Sequence, residues 1–199
     1  DIRSLFTAPT LKDFAAGLRH ERDHTVALAA VPANAIPADA VEIAPDMLPL
    51  VSLSQAEIDT IVAEVEGGAG NIQDIYPLSP LQEGILFHSR SPHHDDIYLI
   101  TQLIDFPDRE RLDRFVSALE HVVHRHDILR TGFFWSALSE PVQVVHRRVD
   151  FACETLPRDR AFATVAAQLA AQFDPAQCRL DLSRAPLFRL CTVDDPDSS

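Results

Sequence analysis

Nine histidines, 30 acidic side chains and three cysteines are the groups of this 199-residue chain that could carry chemistry, so their spacing is the first thing to weigh. His121 and His124 sit three apart on one helical face with His126 beyond them. A helical zinc pair needs a spacing of four and a carboxylate suitably placed between, and neither is present. His126 falls on the apolar stripe of the same helix and is expected to pack into the core near the helix C-terminus, where partial positive charge is favoured. His93-His94-Asp95-Asp96 reads as an exposed loop. Cys153, Cys178 and Cys191 lie far apart without any CxxC pair, which indicates buried free thiols rather than a disulfide framework or a zinc site. No Gly-rich phosphate loop and no GxSxG elbow occurs, so no metal and no resident cofactor is expected.

The elements that position these groups follow from periodicity. Residues 1–20 carry one short amphipathic helix, with Thr10 as its cap and Leu11, Phe14, Ala15 and Leu18 at helical spacing. A lone helix has nothing to bury its face against, and it is expected to be the tail of an upstream domain. Residues 21–53, broken by Pro32, Pro37, Pro45 and Pro49, are expected to form an extended linker. Ser54-Gln55-Ala56-Glu57 then spells a capping box, with Ile58, Ile61, Val62 and Val65 on one helical face and Gly67-Gly68 to end it.

From Asn71 onward the pattern is mixed α/β. After the turn at Tyr76-Pro77-Leu78-Ser79-Pro80, Ser79 and Glu83 lead into a helix. Residues 97–106 are apolar on both alternating faces and predict a strand buried on both sides. The strongest helix runs from Asp108 to about His126, with Leu112, Phe115, Val116, Leu119, Val122 and Val123 on one stripe. Burying those side chains would contribute on the order of 10 kcal/mol before entropy, so this helix is expected to lie on a sheet. Residues 128–135 and 140–146 predict two strands, Phe162 to Phe173 a further helix, and residues 186–193 a last strand.

Composition sets the outer bounds. With 46% hydrophobic and 24% charged residues the chain is of ordinary globular make-up, and its net charge of -13 excludes nucleic acid and anionic membrane surfaces, which need clustered cations. No apolar run reaches the roughly 18–20 residues that span a bilayer, and the first residues lack the pattern of a signal peptide, so a cytoplasmic address is expected. Lys12 is the sole lysine among 17 cations, a bias that points to a GC-rich, bacterial genome.

Two segments resemble a known family. Tyr76-Pro77-Leu78-Ser79-Pro80-Leu81-Gln82-Glu83-Gly84-Ile85-Leu86-Phe87-His88 resembles the opening motif of condensation domains in non-ribosomal peptide synthetases, and Arg125-His126-Asp127-Ile128-Leu129-Arg130-Thr131-Gly132-Phe133 resembles their second motif, RHxxLRTxF. The segment from 54 to 76 is similar to the one that introduces members acting on D-configured upstream residues, and residues 1–18 are similar to the last helix of a peptidyl carrier protein. The resemblance implies a carrier tail (1–20), a linker (21–53) and the N-terminal part of a condensation domain (54–199) with a chloramphenicol-acetyltransferase-like fold. It implies amide formation between a thioester donor and an amine acceptor, each on the 4'-phosphopantetheine arm of a partner carrier domain.

What departs from the family pattern bears on activity. The family's catalytic signature is HHxxxDG, but His93-His94 is followed by Tyr98 and Leu99 where Asp and Gly belong. By the family's order the signature would come shortly after the strand at 186–193, so the chain is expected to stop before it and to be inactive alone. Dual epimerising members carry HHxxxxxGD at the position of His88; here His88 and Asp96 match, while Ser89 and Asp95 replace the second His and the Gly. Dual epimerisation is therefore the second reading, and a non-catalytic element that docks carriers is the third. Arg125 or Arg130, with His126, is expected to support the active-site loop, one arginine pairing bidentately with the aspartate of HHxxxDG.

Overall fold

Secondary structure begins where local chemistry demands it. In this computed structural model, which describes Thr10, residues 34–90 and residues 98–195, helix α1 (Gln55–Glu64) starts at Ser54. The Ser54 hydroxyl accepts from the Glu57 amide while the Glu57 carboxylate accepts from the Ser54 amide, the reciprocal cap that the Ser-x-x-Glu spacing predicts. Val65 closes the helix and Gly67 turns the chain away at φ 84°, a left-handed conformation that a residue without Cβ adopts freely.

Three strands form an antiparallel sheet in the order β1 (Ile72–Pro77), β3 (Val142–His146), β2 (Thr131–Phe134). Ile75 lies opposite Val144 and Phe134 opposite Val142, so alternate residues of the central strand share one face. That face is the core: Ile72, Ile75, Phe134, Val142 and Val144 cluster with Ile58 and Ile61 of α1.

The expected linker is corrected over 34–53. Its prolines do keep it free of long helices, with one short turn at Pro45–Met47, yet Ile36, Ile43, Leu48 and Leu53 are all buried in the same cluster. An extended strap needs side-chain donors for its carbonyls, and they are supplied: Arg147 donates to the carbonyls of Ile36 (2.8 Å) and Pro37 (3.0 Å), and Gln55 to that of Ile43 (2.9 Å). The strap belongs to the compact unit that runs from Asn34. The helix expected within 1–20 lies, Thr10 apart, outside the described residues.

Further along, α2 (Pro80–Ser89) is capped by Ser79, whose reciprocal partner is Gln82 rather than Glu83. The strand expected over 97–106 is not formed among its described residues: 98–106 makes no ladder, and Ile100, Leu103 and Ile104 are more than half exposed. β-propensity reflects fit to a pleated surface and brings no partner strand with it.

Helix α3 (Arg109–Arg125) forms as its periodicity predicts, capped by Asp108, but its burial is corrected. Val123 is fully buried, Leu112, Phe115, Val116 and Leu119 are half-buried, and Val122 is 43% exposed. One face of the sheet is already covered by α1 and the strap, so this narrow sheet does not take up the whole stripe.

The last described elements are β4 (Cys153–Thr155), α4 (Val165–Gln172) and β5 (Leu190–Thr192). β4 and β5 form a separate parallel pair. In α4 the fully buried side chain is Gln168, which accepts from the Asp159 amide and donates to the Pro157 carbonyl, both at 2.8 Å. The three cysteines are free, as expected, but half-buried rather than buried.

Candidate functional site

The segment Arg125–Phe133 is short, but it changes conformation three times, and those changes sort its side chains. α3 ends at Arg125; His126 turns extended, Asp127–Arg130 makes one 3-10 turn, and β2 follows. Arg125 and His126 are thereby left exposed. The expectation of a core-packed His126 is corrected: it lies past the last helical residue, so the helical stripe no longer decides where it points. Arg130 swings inward and is 5% exposed.

The Arg130 guanidinium is held at several points. It forms an ion pair with Asp127 Oδ1 at 2.5 Å, donates to the His146 carbonyl and reaches Gln73 Oε1 at 3.4 Å. Gln73 in turn donates to the other oxygen of Asp127 at 2.8 Å, and Thr131 Oγ1 donates to the Asp127 carbonyl at 2.7 Å. The node ties β1, the 3-10 turn and the end of β3 together. A planar fork suits this task where an ammonium would not.

Two nitrogens in the node are buried without a partner, Arg130 Nε and His146 Nε2. His146 is 6% exposed, and burial first, then the Arg130 charge, pushes its pKa below the ordinary histidine value. It is therefore neutral under ordinary conditions, and protonation would put a second cation beside the guanidinium.

The first motif anchors through Gln82, which donates to Gln143 of β3 at 3.2 Å, while Gln143 donates to the Pro77 carbonyl at 2.9 Å. At the far end of α2, Arg90 stacks over Trp135 at 5.3 Å beside an open hollow of about 300 Å³. His88 is exposed in the last turn of α2, with rings of Phe87 and Tyr98 at 5.8 and 6.3 Å. Its expected partner Asp96, like the His93-His94 pair, lies outside the described residues.

His121 and His124 turn their Nδ1 atoms onto the carbonyls of Ser117 and Glu120, one helical turn back. Among the described residues no group of three or more His, Cys, Asp or Glu could hold a metal ion. Nor is any described helix long and apolar enough to cross a membrane.

Of the residues singled out from sequence, the structure brings Arg130 into a built site and leaves Arg125, His126 and His88 at the surface. Sequence reasoning missed Asp127, Gln73 and His146. Asp127 stands three before Arg130, a spacing at which oppositely charged side chains meet, and that signal was legible. Nothing local marks Gln73, which reaches the node from 57 residues away.

The sequence profile of the family described as Condensation domain matches residues 72–198. The chain is similar to malpinin synthetase of Mortierella alpina, 41% identical over 197 residues, which is 99% of this chain and 2% of that protein. It is also similar to a linear gramicidin synthase of Brevibacillus parabrevis, 34% identical over 189 residues, 94% of this chain and 3% of that protein. The chain thus spans only a few per cent of the length of these relatives, whose organisms do not single out a bacterial source. Among solved structures it is similar to the condensation domain from Monacolin K polyketide synthase MokA, with 21% identity, a TM-score of 0.44, and coverage of 62% of this chain and 28% of that one.

Proposed function

The chain belongs to the condensation-domain family, and from that membership we propose that it is part of a non-ribosomal peptide synthetase domain that joins a carrier-bound aminoacyl or peptidyl thioester to a carrier-bound amine. In that reaction the amine nitrogen attacks the thioester carbonyl, the C–N bond forms, the C–S bond breaks, and the amine's proton leaves with the thiol of the donor arm. The phosphopantetheine arms arrive with the partner carriers as part of the substrates. Three free cysteines among the described residues support a reducing, cytoplasmic setting.

This chain's own residues supply scaffolding. The observation that carries the reading is Arg130, the second arginine of the RHxxLRTxF-like segment, buried and pinned between Asp127 and the His146 carbonyl. A guanidinium held this firmly fixes the junction of helix and sheet on which a neighbouring active-site loop can be built. The lobe would adopt a chloramphenicol-acetyltransferase-like fold, with a carrier domain's tail in residues 1–20. No HHxxxDG signature stands in the 199 residues, so we propose that they do not catalyse amide formation by themselves.

The test is amide formation followed by mass spectrometry, with donor and acceptor loaded on carrier domains. The parent condensation domain should give product and the 199-residue chain none. Turnover by the isolated chain would overturn the inactivity. A parent domain that carries HHxxxDG yet makes no amide would favour the carrier-docking reading.

A further inference from the structure

β4 and β5 stand apart from the main sheet and reach it by two routes. One is the chain itself, residues 147–152, running from β3 into β4. The other is the turn Asp181–Arg184, which sits on β2, an edge strand of the sheet, before the chain enters β5. The Phe133 amide of β2 donates to the Leu182 carbonyl at 2.7 Å.

Gly132 is what admits this turn. A Cβ at position 132 would stand 2.7 Å from the Ser183 carbonyl oxygen and 3.5 Å from His146 Nε2, and the first of these is a backbone atom that cannot rotate aside. Gly132 lies opposite Val144, so His146 is its diagonal neighbour on the same face. The buried imidazole therefore floors the space that the missing side chain leaves, with its Nε2 unpartnered. The turn is braced from its own side by Asp181, whose Oδ1 accepts from the Ser183 amide (3.0 Å) and hydroxyl (2.7 Å). The two routes meet again where Phe151 packs edge-on to Phe188 at 6.1 Å.

We propose that Gly132 and Asp181 are positioning residues for the condensation reaction: they seat the Asp181–Arg184 turn on β2 and so fix the direction in which β5 leaves the sheet. The inference rests on the function proposed above, together with the family order that the resemblance implies, in which the catalytic signature comes after the strand at 186–193. Neither touches substrate. They act through the placement of β5, and a loop set about 1 Å out of place can cost a hundredfold in rate.

Asp181 is exposed, so Asp181→Ala loosens the turn without opening the core, and Asp181→Asn keeps the accepting oxygen. In the parent domain with loaded carriers, Asp181→Ala and Gly132→Ala should each lower kcat tenfold or more, with KM for both carriers within twofold and Asp181→Asn close to wild type. In the 199-residue chain, Asp181→Ala should speed amide hydrogen exchange at Thr192, the β5 residue whose backbone faces β4, at least tenfold while leaving α1 unchanged. The proposal is overturned if Asp181→Ala retains wild-type kcat, if KM rises instead, if Asp181→Asn falls as far as Ala, or if exchange at β5 does not change. A wild-type parent that makes no amide sinks the function and this proposal together, and that result is distinct from a working parent that Asp181→Ala leaves untouched.

Discussion

Glu57 and Ser139 are 82 residues apart, and the carboxylate of the first accepts the backbone N–H of the second at 2.5 Å. The same carboxylate caps its own helix through Ser54. One side chain therefore starts α1 and fastens the β2–β3 turn to it. Hydrogen bonds from Ser54 first, then Ser139, hold the Glu57 pKa down to about 2 from an ordinary 4.5.

A depressed carboxylate pKa makes stability depend on pH in a definite direction. Glu57 contributes its full share above pH 4.5, and that share is lost as pH falls from 4.5 toward 2. Glu57→Gln should lower the urea midpoint at pH 7 and flatten the decline between pH 5 and pH 2. Parallel wild-type and mutant curves across that window would show that the carboxylate is not the group responsible.

The same turn holds a conformational cost. Ala137 has φ 59°, in the left-handed region, where a Cβ costs about 1–2 kcal/mol. Ala137→Gly relieves that cost but adds freedom to the unfolded chain, for a net gain of roughly 0.5 kcal/mol. Urea denaturation should show a raised midpoint for Ala137→Gly and a lowered one for Ala137→Val, where branching sharpens the clash.

Arg130 and Arg125 come from one motif and should behave oppositely. Removing the Arg130 guanidinium strands the His146 carbonyl and breaks the tie to Asp127, at roughly 2–4 kcal/mol. Arg130→Lys should recover little of this, because an ammonium cannot fork between the carbonyl and the carboxylate. Arg125 is exposed, so Arg125→Ala should stay within about 0.5 kcal/mol of wild type. Equal losses at the two positions in chemical denaturation would contradict the asymmetry.

The features legible in the sequence were the ones set by near neighbours. Ser54 and Glu57, Gly67, and the helical stripe from Leu112 to Val123 announce α1, its end and α3 through contacts within a few residues. The packing of the strap over 34–53 is not legible, because proline governs backbone conformation and says nothing of where Ile36 or Leu48 is buried. Residues 98–106 depart from expectation for the opposite reason: their side chains suit a strand, but pairing depends on an edge elsewhere in the chain. In the site, Arg130 could be picked out by motif, whereas His146 and Gln73 join it only through the register of β1 with β3.

α3 offers a direct measure of how far a stripe read from sequence is buried. Val122 and Val123 adjoin on the helix, and replacing either by Ala gives the same small gain in helix propensity. Their burial differs, at 43% exposed against fully buried. Val123→Ala should therefore cost about 2 kcal/mol, from lost transfer energy and the cavity left behind. Val122→Ala should be neutral within about 0.5 kcal/mol or slightly stabilising. If both cost alike in urea denaturation, the stripe is covered in solution more completely than the structure of this chain provides, and α3 is then packed on Val122's side as well.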